Sequence, residues 1–112
     1  MVLDYAEKLT HKFPAGLDIA MFACSGTEAN ELALRLARAR TGASGMIVTE
    51  HAYHGTSWAI AQITTCYQSS EKRGDNIVTI PTPDSFRGLY VDDEKAAEKY
   101  ADHLHMAIET LA

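Results

Sequence analysis

No stretch of apolar residues in the chain approaches the roughly 20 that a membrane-spanning helix needs, and no N-terminal apolar run of signal-peptide type is present. Neither a membrane span nor a secretory leader is expected, and a cytoplasmic, reducing compartment is the default. Basic runs are missing too. The formal net charge is −5, from 10 Lys and Arg against 15 Asp and Glu. That argues against nucleic acid or an anionic membrane surface as the main partner. Cysteine is scarce: Cys24 and Cys66 lie far apart and neither belongs to a CxxC pair. No zinc or redox motif follows, and both are expected as reduced, buried small hydrophobes. His51 and His54 have an H-x-x-H spacing, and His103 and His105 an H-x-H spacing. No third ligand stands with either pair, so no metal site is expected. A G-x-G-x-x-G loop and a Walker lysine motif are both lacking, which weighs against a standalone Rossmann-like nucleotide module.

What is present is an ordinary globular composition. Apolar residues make up 46% of 112 residues. That length allows one domain at most, and a domain of this size can bury roughly two-thirds of its unfolded surface, so size does not forbid a core. Short apolar runs alternate with helical periodicity, which predicts βα units and an α/β fold. Helices are predicted over Val2 to Lys12, Thr27 to Arg40, Trp58 to Cys66 and Asp93 to Leu111. The strongest is Thr27 to Arg40, where Ala29, Leu32, Ala33, Leu36 and Ala37 make one apolar stripe. Arg35, Arg38 and Arg40 suit the negative end of its dipole, and Gly42 is a natural terminator. In the last helix Ala97, Tyr100, Ala101, Leu104, Ile108 and Leu111 are predicted to face inward, and Asp92-Asp93-Glu94 with Glu98 form an acidic first turn.

Strands are predicted at Asp18 to Cys24, Gly45 to Glu50 and Asn76 to Ile80. Three parallel strands would leave exposed sheet edges. A closing helix in such a pattern normally feeds another strand, and here the sequence stops at Ala112. The chain is therefore expected to be a fragment.

The informative run is Cys24-Ser25-Gly26-Thr27-Glu28-Ala29-Asn30-Glu31, which joins an apolar run to an amphipathic helix. Such a junction presents unpaired N–H groups and the positive end of a helix dipole, where a phosphate fits. Gly26 lets the backbone approach an anion, and the Thr27 hydroxyl can add a hydrogen bond. The same residues also spell a capping box, Ser25-x-x-Glu28. The two readings are compatible, since a cap can use Ser25 and Glu28 while Gly26 and Thr27 face a ligand.

Ser25-Gly26-Thr27-Glu28-Ala29-Asn30 resembles the phosphate-cup motif of class III (ω-amino) aminotransferases, which are fold-type-I pyridoxal-phosphate (PLP) enzymes. Ala52-Tyr53-His54-Gly55 resembles the family's second motif. Pro81-Thr82-Pro83-Asp84-Ser85-Phe86-Arg87-Gly88 resembles a third run, typical of the branch holding alanine–glyoxylate aminotransferases and phosphoethanolamine-type phospholyases. A Tyr usually stands there at the place of Phe86. The resemblance implies that residues 1–112 are part of the PLP-binding large domain, a partial three-layer α/β/α sandwich. It implies PLP as cofactor, with Gly26 and Thr27 on its phosphate and Tyr53 stacked on its ring. His54 enters the cofactor set by the same resemblance, although a loop histidine read alone is a solvated or hydrogen-bonded spectator. An amino donor, a 2-oxo acid acceptor and a homodimer are implied likewise.

PLP catalysis needs a lysine that binds the cofactor covalently and a carboxylate on the pyridine nitrogen. Lys8, Lys12, Lys72, Lys95 and Lys99 all lie in polar stretches, and none follows an apolar strand, where the family places its lysine. Asp92 and Asp93 fail the same test. No catalytic residue is assigned, and the chain alone is expected to be inactive. Three readings stay open: an aminotransferase fragment, a fragment of a PLP-dependent lyase of that branch, and a non-catalytic fold remnant. The sequence does not reach the substrate.

Overall fold

Two short runs rich in β-branched residues make the sheet. The computed structural model describes residues 1–67 and 73–112. Strand β1 (Met46–Thr49) pairs in parallel with β2 (Ile77–Ile80), with Met46 opposite Ile77 and Thr49 opposite Ile80. The Glu50 N–H donates to Ile80 O at 2.9 Å and continues the ladder past the last pair. Four helices accompany the strands: α1 (Val2–Thr10), α2 (Gly26–Thr41), α3 (Trp58–Ala61) and α4 (Ala96–Leu111).

The α/β class stands as predicted. Val48, Ile60 and Ile63 form the buried core, with Leu34 of α2, Met46 and Ile77 packed against it. Met46 and Val48 are two apart in β1 and so share one face of the sheet. Helix α4 packs on β2 and β1, and α2 packs on α3.

Several predicted features are corrected. Asp18 to Cys24 forms no strand. A strand is held by a neighbour's ladder, and no described segment pairs with this one. The sheet therefore has two strands among the described residues, not three. Helix α3 ends at Ala61 rather than Cys66. The residues beyond it, Thr64 and Thr65, use their hydroxyls to bond the loop before the helix, which competes with helix continuation. Cys24 and Cys66 are exposed, not buried. Both lie in the segments that lost their predicted strand and helix.

The helix faces are also rotated from expectation. In α4 the inward stripe is Ala96, Tyr100, His103, Ala107 and Leu111, whereas Leu104 and Ile108 are exposed. Those five recur at spacings of three and four, so the period holds and the phase differs. His103 joins the stripe because its ring nitrogen Nε2 meets the Tyr90 hydroxyl at 2.9 Å. In α2 the core contact is Leu34, while Leu36 of the predicted stripe is exposed.

Much apolar surface stays uncovered. The accessible area is 8720 Å², against about 6,100 Å² for a folded monomer of this mass. The radius of gyration is 16.9 Å, against about 13 Å for a compact chain of this length. Val2, Leu3, Ile19, Met21, Trp58 and Met106 are among the large apolar side chains left in solvent.

Candidate functional site: a helix N-terminus and the loop packed on it

The N-terminus of α2 is built by its cap. Ser25 is extended, at φ −148° and ψ 160°, and its hydroxyl accepts from the Glu28 N–H at 3.2 Å. The Glu28 carboxylate reaches back to accept from the Cys24 N–H at 2.7 Å, one residue earlier than the usual capping box. These two bonds satisfy the N–H groups of Cys24 and Glu28. The Gly26 and Thr27 N–H groups between them have no recorded partner among the described residues. A Cβ on Gly26 would meet nothing within 4 Å, so the space beside this turn is open. At the far end Gly42 closes α2 in the left-handed conformation, φ 70°.

The loop from Ala52 to Ser57 lies against that helix. Gly55 is buried at φ 135°, and a Cβ there would overlap the Thr27 hydroxyl. The Asn30 amide donates to His54 O at 2.7 Å, and the Ser57 hydroxyl donates to the Glu31 carboxylate. From the other side the fully buried Thr64 accepts from the His54 N–H at 3.1 Å and donates to Gly55 O at 2.9 Å. Thr65 accepts from the Ala52 N–H at 2.8 Å and donates to Thr49 O at 2.6 Å. The sequence singled out none of Asn30, Glu31, Thr64 and Thr65 for a role. The threonines signalled only weak helix propensity. Asn30 and Glu31 stood inside the conspicuous run without an assigned partner.

Gly26, Thr27, Tyr53 and His54 are thus placed on two segments in contact through Thr27 and Gly55. The Tyr53 side chain is exposed, and its ring lies 6.4 Å from that of Tyr67 at an interplanar angle of 46°. The recorded hydrogen bonds of His54 are those of its backbone, not its ring.

The third run forms a hydrogen-bonded turn elsewhere. The Asp84 carboxylate accepts from the Phe86 N–H at 2.8 Å and the Arg87 N–H at 3.0 Å, and Asp84 O accepts from the Gly88 N–H at 3.1 Å. The backbone N–H of Arg87, then that of Phe86, holds the Asp84 carboxyl below the ordinary carboxylate range. The Tyr100 hydroxyl accepts from the Leu89 N–H at 3.0 Å and donates to Asp84 O at 3.3 Å. A Cβ on Gly88 would overlap both that hydroxyl and Asp84 O. Between this turn and Glu50-His51 lies an open cavity of about 570 Å³, to which Gly26, Thr27 and Tyr53 do not contribute. Among the described residues no cluster of His, Cys, Asp and Glu has the makings of a metal site, and no helix is long and apolar enough to cross a membrane.

The family model for aminotransferase class-III matches residues 1–112. The chain belongs to that family. It is 43% identical over 90 residues to an ethanolamine-phosphate phospho-lyase homolog of Caenorhabditis elegans, covering 78% of this chain and 19% of that protein. It is 35% identical over 111 residues to a mitochondrial alanine–glyoxylate aminotransferase 2 homolog of Arabidopsis thaliana, covering 96% of this chain and 22% of that one. Among solved structures, an Arthrobacter phospholyase in complex with phosphoethanolamine superimposes at a TM-score of 0.85 with 37% identity, over 98% of this chain and 26% of that one. A transaminase with L-alanine superimposes at 0.78 with 28% identity, over 96% of this chain and 28% of that one. The chain spans about a fifth of the length of the curated relatives. Class-III aminotransferases and the related phospholyases are PLP-dependent, and the fold agrees with part of the α/β fold of fold-type-I transaminases.

Proposed function

We propose that this class-III aminotransferase chain carries the phosphate-binding and ring-stacking part of a PLP site. The observation that carries the reading is the pair of N–H groups on Gly26 and Thr27 at the positive end of α2, which have no partner among the described residues while the cap satisfies those of Cys24 and Glu28. Gly26 and Thr27 would hold the phosphate, with the Thr27 hydroxyl as a further donor. Tyr53 would lie on the pyridine ring, and His54 would serve through its backbone. When bound, PLP supplies the electron sink for chemistry at an amino-bearing carbon. The residues present fix the phosphate and orient the ring, and none of them is assigned a proton transfer.

Amino transfer from an amino acid or amine to a 2-oxo acid is the activity proposed for the protein that uses this site. A second reading, a PLP-dependent lyase, is favoured by the 43% identity to the Caenorhabditis homolog and the 0.85 superposition on the Arthrobacter phospholyase. A homodimer and a cytosolic location are proposed with it. Size-exclusion chromatography and cell fractionation test those two, the second against the mitochondrial designation of the Arabidopsis relative.

The test of the site uses pyridoxamine 5′-phosphate, which carries the phosphate and ring but no aldehyde to react with surface lysines. Equilibrium dialysis with the chain should show saturable binding that competes with inorganic phosphate. Thr27→Val should weaken both ligands, and Tyr53→Leu only the first. Equal affinity in all three proteins removes the reading. For the protein as a whole, phosphate release from phosphoethanolamine against amino transfer from alanine to glyoxylate separates lyase from transaminase.

A further inference from the structure

Tyr53 needs a fixed height above the phosphate cup if its ring is to meet a cofactor held there. Nothing in its own side chain supplies that, since the ring is exposed and its aromatic neighbour Tyr67 is exposed as well. The next residue is held at both ends. The His54 N–H goes to Thr64 at 3.1 Å, and the His54 carbonyl accepts from the Asn30 amide at 2.7 Å. A carbonyl can only accept, so the nitrogen of the Asn30 side chain must face it. Thr27, Asn30 and Glu31 are three and four residues apart on α2 and so lie along one edge of the helix. The loop lies against that edge, with His54 on Asn30, Gly55 on Thr27 and Ser57 on Glu31.

We propose that Asn30 is a positioning residue that locks Tyr53 to the phosphate cup through the His54 carbonyl. This rests on the reading that Gly26, Thr27 and Tyr53 hold PLP. Asn30 touches neither phosphate nor ring. It makes the cup and the aromatic platform one rigid unit, because both are then referred to the same 16-residue helix. The Ser57–Glu31 bond is the second fastening of the same loop, one residue further along the helix.

The experiment is a double-mutant cycle on the full chain, with inorganic phosphate and pyridoxamine 5′-phosphate as separate probes. Asn30→Ala should leave phosphate affinity unchanged and weaken pyridoxamine 5′-phosphate about two- to tenfold, the range an aromatic stack contributes beyond area burial. In a Tyr53→Leu background the same substitution should cost nothing further, because the ring it positions is gone. Asn30→Asp, which cannot donate in its ionised form and sets a carboxylate against the His54 carbonyl, should behave like Asn30→Ala or worse. An Asn30→Ala loss that is equal in both backgrounds, or that extends to inorganic phosphate, overturns the proposal. A Tyr53→Leu protein that binds both probes like the wild type overturns instead the reading beneath it. Should Asn30→Ala lower the helix content by circular dichroism, Ser57→Ala releases the loop without touching α2. It should show the same Tyr53-dependent loss, and a loss independent of Tyr53 there rejects the proposal equally.

Discussion

Gly55 lies so close to Thr27 that a Cβ on the glycine would come within 2.9 Å of the threonine Cβ and overlap its hydroxyl. The two residues are 28 positions apart and come from different motifs. Gly55 also sits at φ 135°, which L side chains rarely adopt. Gly55→Ala therefore meets two obstacles. The backbone must leave its conformation, at about 1–3 kcal/mol, and the Thr27 hydroxyl must move away. Chemical denaturation should show the first effect as a lower midpoint. Weaker binding of inorganic phosphate should show the second. An alanine variant with wild-type phosphate affinity would mean that the Thr27 hydroxyl takes no part in the cup.

Ser25 separates the cap from the anion site. Its hydroxyl is spent on the Glu28 N–H, whereas the N–H groups assigned to phosphate belong to Gly26 and Thr27. Ser25→Ala should cost about 1 kcal/mol of stability, as loss of an N-cap usually does, and Ser25→Gly only a few tenths. Phosphate affinity, measured well below the melting transition, should stay within about twofold of wild type in both. A tenfold loss in Ser25→Gly would make the serine a direct ligand.

These contacts show what the sequence could and could not disclose. The start and stop of α2 were readable because capping is local: Ser25, Glu28 and Gly42 act within a few residues of themselves. The pairing runs of β1 and β2 were readable from their β-branched composition. Asp18 to Cys24 is as apolar but holds a single β-branched residue, Ile19, and pairing is a property of two segments, whereas composition reports on one. The phase of α4 failed for a related reason. His103 looks polar alone and becomes an inward residue only because Tyr90 offers its hydroxyl. The loop bonds of Asn30, Thr64 and Thr65 span 9 to 24 residues, with no periodicity to betray them.

Acid should loosen the third motif before it melts the helices. The Asp84 carboxyl is held below its ordinary range by the Arg87 and Phe86 N–H groups, and Asp93 by its bond to Lys99 and then by the Lys95 N–H. A depressed carboxyl stabilises the fold above its unfolded pKa, and the contribution fades as pH falls through the lower folded value. Lys99 is raised by the same bond to Asp93, so its contribution is complete below the unfolded lysine pKa and fades at high pH. The turn and the ion pair should thus be constant between about pH 5 and 10. Below about pH 4 they should weaken. Tyr90 reports the change, because the Lys99 ammonium lies 5.3 Å from its ring centroid. Tyrosine signals by NMR should shift there in acid, and Asp93→Asn should abolish that part of the shift. A titration unchanged by Asp93→Asn would show that the pair is not formed in solution.

The uncovered apolar surface predicts poor behaviour of the chain alone. Among the described residues the buried apolar side chains are few, namely Val48, Ile60, Ala61, Ile63, Tyr100 and Ala107, while Ile19, Trp58, Leu104, Met106 and Ile108 face water. Patches of this kind mark surfaces that belong against protein. Purified alone, the chain should bind 8-anilinonaphthalene-1-sulfonate, aggregate with rising concentration and, when dilute, unfold over a broad transition that still has a midpoint. A reversible two-state melt without dye uptake would show that the surface is covered in solution by a rearrangement absent from this structure.

The last prediction is that the chain by itself catalyses no amino transfer. A lysine that works with PLP must be unprotonated when it attacks, and must face the ring. Lys99 is bound to Asp93, which raises its pKa and keeps it protonated. Lys8 and Lys12 lie at α1 beside Asp4 and Glu7, and Lys95 precedes the first turn of α4. Lys72 lies outside the described residues, in a polar stretch of the sequence. Neither Asp92 nor Asp93 is placed to serve the pyridine nitrogen, since Asp93 is engaged by Lys99 and Asp92 stands exposed at φ 54°. Holding a phosphate and stacking a ring therefore leave the chemical steps without their groups. Free PLP forms adducts with exposed lysines, so absorbance changes alone do not count as function. The measurement is amino transfer from several donors to pyruvate and to glyoxylate, with the purified chain and added PLP, against PLP alone. Rates should coincide. Turnover above the cofactor control that is lost in Lys72→Ala would assign the reaction to that lysine. Turnover that survives Lys72→Ala would assign it to one of the four helix-associated lysines and refute the placement given to them.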